Sequence, residues 1–116
     1  MRHDAALQPL IAGLPRSSPA EREARDLVAA AALRCLAFHM EDPVQCRRQV
    51  GALQAFCAAY PDSPRFAAEL ARGLASQIAA CREDAEGRAE AIAGLLRLRA
   101  KHPLALIDQF LRGIAA

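Results

Sequence analysis

Apolar positions along this chain recur every three or four residues, and prolines divide the pattern into similar lengths. From Cys46 they return at Val50, Leu53, Cys57 and Tyr60; from Phe66 they return at Leu70, Leu74, Ile78 and Cys81. Ala89, Ile92, Leu96 and Arg99, with Leu95 alongside, form a third run. A period near 3.6 places each set on one side of an α-helix. The breaks between runs follow a rule. Ser18-Pro19-Ala20-Glu21 reads as an N-cap, a proline at the first helical position and the Glu of a capping box, and Asp42-Pro43-Val44-Gln45 repeats it with Gln. Ser63-Pro64 and His102-Pro103 open two further helices. Proline is tolerated in a first turn, where its missing N–H has no intrahelical partner. It also drives the preceding residue out of helical geometry and so ends the helix before it.

These signals predict five main helices, over 19–40, 43–60, 64–81, 84–100 and 103–115, with Asp84 capping the fourth. Residues 1–17 read as a short helix over 4–12 or as a mobile arm. Tyr60-Pro61-Asp62-Ser63-Pro64 compresses a stop, a turn and a start into five residues, so its flanking helices must be antiparallel neighbours. The expected fold is all-α: one domain over 1–116, built as an antiparallel array or bundle, with α-solenoid-like hairpin repeats as its repeat form. Three strings suggest such a repeat. Leu33-Arg34-Cys35-Leu36-Ala37, Ala71-Arg72-Gly73-Leu74-Ala75 and Leu111-Arg112-Gly113-Ile114-Ala115 stand 38 and 40 residues apart. Periods near 40, each covering two helices, mark stacked helical hairpins.

Within the second hairpin, Ala52, Phe56, Ala59 and Pro64 match the second half of a tetratricopeptide repeat in type and spacing, and the junction Tyr60–Pro64 is similar to those between such repeats. The chain resembles that family over residues 50–66. Upstream it departs, because Asp42-Pro43 falls where the family's first helix continues. The resemblance implies paired helices packed through small residues and a role in binding protein partners.

Composition narrows the function classes. Of 116 residues, 53% are apolar and only 4% aromatic, with no Trp. The formal charge of +2 is too small to argue for nucleic acid or a membrane surface. Lys101 is the only Lys, so the cationic surface is arginine. Pro9 and Gly13 interrupt the first apolar stretch, which rules out a signal-peptide reading, and no run approaches the roughly 20 apolar residues of a membrane span. A cytoplasmic protein with reduced thiols is expected. There is no GxSxG, no HExxH and no Gly-rich phosphate loop, so neither enzyme activity nor a cofactor is expected.

Two features carry candidate chemistry. Helices joined at Glu41-Asp42 and at 61–63 bring Cys35, His39, Cys46 and Cys81 toward one end of the bundle. Three thiolates and an imidazole would suit tetrahedral zinc, and a thiol- or metal-sensing regulator is the alternative reading. Core thiols are the plainer account, since free Cys packs as a small hydrophobe. A small enzyme or ligand-binding bundle would need a polar-lined pocket. The second feature is the last helix. Leu104, Leu106, Ile107, Phe110, Leu111 and Ile114 cover more than one of its faces, which is the pattern of a helix buried among others, or against a second copy or a partner. The chain therefore reads as a protein–protein interaction module of the adaptor, chaperone-like or regulatory-subunit kind. Its expected contacts are Leu106, Phe110 and Ile114, with Arg97, Arg99 and Arg112 at the rim, and its occupant is a protein partner or a second copy.

Overall fold

A computed structural model describes residues 18–115; the short helix expected over 4–12 lies outside them. The described residues form five α-helices: α1 (Pro19–His39), α2 (Pro43–Ala59), α3 (Pro64–Ala80), α4 (Ala85–Lys101) and α5 (Ala105–Ala115). The starts of the first four follow the capping logic. Ser18 Oγ accepts from the Glu21 N–H at 3.2 Å, Asp42 Oδ1 from Val44 at 2.9 Å, and Asp84 Oδ1 from Gly87 at 3.1 Å. Ser63 holds the cap position of α3 without a side-chain bond. The last helix departs from expectation. His102–Leu104 is a turn in which the Leu104 N–H donates to the His102 carbonyl at 2.8 Å, so Pro103 sits outside the helix. The Leu104 carbonyl accepts from Asp108, and α5 begins at Ala105.

The connections are three or four residues long, so sequential helices pack as antiparallel neighbours. α3 is central and touches all four others: α2 packs on α1 and α3, while α5 rests more lightly on α3 and α4. The odd-numbered helices thus lie side by side, with α2 and α4 against them. The position of α3 explains its composition. Phe66, Leu70 and Leu74 are buried as the stripe predicts, but so are Ala67, Ala71, Gly73 and Gln77, because neighbours cover more than one face. Small residues set the close approaches. A methyl group on Gly73 would collide with Leu53, and one on Gly94 would stand 3.1 Å from Leu74 Cδ2.

The α2–α3 junction is an aromatic clamp. Phe66 stacks on Tyr60 with ring centroids 4.5 Å apart and on Phe56 at 6.1 Å. The Tyr60 hydroxyl donates to the Asp26 carboxylate on α1, which raises the phenol pKa. His102, the C-cap of α4, bonds the Pro61 carbonyl through Nε2 at 2.9 Å and locks that end of α4 to the junction. At the other end, buried Gln77 donates to the Gly87 carbonyl at 3.0 Å. With these polar groups satisfied, burial drives the packing, and each fully buried Leu or Ile such as Leu53, Leu95 or Ile107 contributes about 1.5–3 kcal/mol.

Two faces differ from the sequence reading. On α4 the buried set is Gly87, Ala91, Gly94, Leu95 and Leu98, whereas Ala89 and Arg99 are exposed and Leu96 is half exposed. The apolar run and the contact face diverge because α3 can approach α4 only along its small residues. Among the large apolar side chains of α5, Ile107 is fully buried and the others pack partly against the core. The helix lies against the array and is not inserted into it. Among the described residues no helix is long and apolar enough to cross a membrane.

Candidate docking groove

The face of α3 opposite its Leu70–Leu74 stripe carries Arg72, Ala75, Ser76 and Ala79, and Glu83 follows in the turn beyond its end. This face remains open. α1 stands on one side of it and α5 on the other, and between them runs a groove of about 900 Å³. Ala75, Ala79 and Ala80 make its floor, Phe38 and Phe110 its apolar walls, and Arg34, Arg72 and Arg82 much of its polar margin. Phe38 is 71% exposed, on a helix that buries only Ala30 and Ala37 and also exposes Val28 and Leu36. Exposing so large a ring to water is unfavourable. A second hollow of about 320 Å³ continues the groove between α3 and α5, lined by Ile78, Phe110, Gly113, Ile114 and Arg88.

Electrostatics shape the margin. Glu69 reaches from α3 between two guanidiniums, with Oε2 2.6 Å from Arg34 Nε and Oε1 3.5 Å from Arg72 Nη1. The Arg34 bond links α1 to α3, and one carboxylate shared by two arginines leaves positive charge in excess at that wall. No ion pair engages Arg82 or Arg88 among the described residues. Glu41 and Glu83 also line the groove and partly offset this charge.

The residues expected to contact a partner separate into two groups. Phe110 and Ile114 line the groove and its extension. Leu106 is half-buried against the core beside them. Arg112 is exposed on α5. Arg99 instead reaches Asp108 at 2.9 Å and ties α4 to α5. Arg97 lies on the other side of α3, in a crevice of about 300 Å³ between α2 and α4 that also holds Cys57 and Lys101. Phe38 and the alanine floor were missed. Their signal was present, since Arg72, Ala75 and Ala79 share a face of α3, but alanine in a helix-rich chain reads equally well as core.

The four-residue thiol and imidazole cluster does not assemble. Cys46 and Cys81 are both fully buried near one end of the array, and the Cys46 thiol points to the Ala37 carbonyl at 3.7 Å. Burial raises both thiol pKa values, and the proximity of Cys81 raises that of Cys46 further; nearby Arg47 partly counters the rise at Cys81. Arg47 itself bridges to Asp84 at 2.9 Å and to Glu90 at 3.7 Å. Cys35 and His39 are exposed. The reason is helical phase. Ala30 and Ala37, seven residues apart, set the buried side of α1, and Cys35 and His39 each lie two residues, about 200°, away from Ala37. Among the described residues no group of three or more His, Cys, Asp or Glu side chains could hold a metal ion.

Comparison with protein-family models, with characterised proteins and with solved structures finds no match to this chain.

Proposed function

We propose that the chain is a protein–protein interaction module, an α-hairpin array whose docking surface is the groove over α3 between α1 and α5. The observation that carries this reading is the combination of an alanine floor with two aromatic walls, one of them the exposed Phe38. Small floor residues let a partner backbone approach closely, and aromatic side chains supply the apolar area on which interface energy concentrates. The side-by-side odd helices support the hairpin-repeat reading and its tetratricopeptide-like resemblance, which point the same way. In this reading the chain works by holding a partner and carries out no chemistry of its own. Phe110 and Ile114 belong to this surface and Arg99 shapes it by holding α5 to α4, whereas Leu106 and Arg112 line neither hollow. Arg97 stands outside it.

Site-specific photo-crosslinking in the producing cell tests the proposal. A benzophenone amino acid at Ala79 should yield a discrete heavier species that disappears when Phe38→Ala and Phe110→Ala are combined. The same probe at Gln54, in the crevice on the other side of α3, should yield none. Equal yields from both positions would defeat the reading.

A further inference from the structure

We infer that the occupant of this groove is an amphipathic helical segment of another protein whose polar side is rich in Asp and Glu; the inference rests on the groove being the docking surface. The helical form follows from backbone accounting. The groove is walled and floored by helices whose backbone N–H and C=O groups bond one another, and no strand edge occurs among the described residues. An extended peptide would enter the apolar floor with its own backbone polar groups unpaired, whereas a helix arrives with them satisfied. The lining agrees: Phe38 from α1 and Phe110 from α5 border the hollow whose floor carries Ala75 and Ala79, one helical turn apart, against which an i, i+3, i+4, i+7 stripe could lie.

The acidic character follows from charge. Four arginines line the groove and its extension, Arg34, Arg72, Arg82 and Arg88. Glu69 answers the first two together and no ion pair answers the other two, so the margin stays positive even with Glu41 and Glu83 counted. Arg82 and Arg88 lie at the end where the groove runs into its extension, so carboxylates are wanted at one end of the bound helix. A basic segment would meet like charge there, which costs more than a matched pair gains. A second copy of this chain fits less well, because its formal charge is +2 and α5, the most apolar of the described helices, already rests against α3 and α4.

The test is selection from a charge-balanced library of random 16-residue peptides displayed on phage, panned against the full chain and counter-screened against Ala79→Trp. Ala79 is exposed, so the new side chain fills the groove without entering the core. Because the chain has no other Trp, the indole emission also reports whether the ring lies where the groove is. Expected are peptides that lose binding to A79W and are enriched in Asp and Glu around an apolar helical stripe. Their affinity should fall about tenfold when Arg82→Glu and Arg88→Glu are combined, and the loss should shrink in high salt. Groove-dependent peptides that are neutral or basic, or acidic ones indifferent to the double reversal, would overturn the acidic occupant and leave the groove standing. Peptides that bind A79W as well as the parent, or no enrichment at all, would overturn both.

Discussion

Gly73 and Gly51 invite the same substitution with opposite outcomes. Replacing a glycine inside a helix by alanine gains about 1 kcal/mol, because the unfolded chain loses freedom and the helix does not. Gly51 lies exposed on α2 with nothing within 4 Å of a new methyl group, so Gly51→Ala should realise that gain. At Gly73 the methyl group would collide with Leu53 Cδ1 and lie 3.7 Å from Val50 Cγ2. Leu53 is only 1% exposed, so it must leave its rotamer or push α2 away. Overpacking of this kind costs about 1–3 kcal/mol. Gly73→Ala should therefore range from neutral to about 2 kcal/mol less stable than the parent, and the two variants should differ by about 1–3 kcal/mol. Urea unfolding followed by far-UV circular dichroism reads this as a shift in midpoint at constant slope. A third variant removes the obstacle. Leu53→Ala alone costs about 2–5 kcal/mol, but in its background Gly73→Ala should stabilise as Gly51→Ala does. If Gly73→Ala stabilises the parent chain as much as Gly51→Ala, α2 and α3 do not approach through Gly73. The central position of α3, and with it the floor of the groove, would then be wrong.

Three further outcomes are expected. Tyr60→Phe removes the bond that ties the C-cap of α2 to Asp26 on α1, and should lower stability by about 1 kcal/mol in the same urea assay while leaving the aromatic stack in place. Cys46 and Cys81 hold their protons more tightly when folded. Their contribution is therefore whole below the unfolded thiol pKa and declines as pH rises above about 9, by up to about 1.4 kcal/mol per pH unit for each thiol; in Cys46→Ser the decline in thermal midpoint should be shallower. Thiol labelling at neutral pH should modify exposed Cys35 within the mixing time, whereas Cys46 and Cys81 should react only as fast as the chain opens, and fast labelling of either would contradict their burial.

Much of the fold was legible because its signals are local. Pro19, Pro43 and Pro64 each open a helix at the first position, and Asp84 caps the fourth without a proline. Such signals act within one turn of chain, so no knowledge of neighbours is needed to read them. Pro103 misled because nothing local distinguishes a proline that opens a helix from one two residues ahead of it; the His102 tie to Pro61 lies across the fold. The site was legible in part. Phe110 and Ile114 stood out because they crowd a terminal helix. Phe38 did not, because its exposure depends on where α1 meets α3.

By itself the sequence determined the helices, their order and their antiparallel succession, since caps, turns and the 3.6-residue period are properties of neighbouring residues. Tertiary structure decided which side of each helix faces inward. In a chain so rich in alanine, an apolar face and a face that permits close approach are written with the same residue, and only the packed neighbour distinguishes them. That choice turned Cys35 and His39 outward, brought Cys46 and Cys81 inward, selected Ala91 and Leu95 over Leu96 on α4, and left the alanines of α3 as the floor of an open groove.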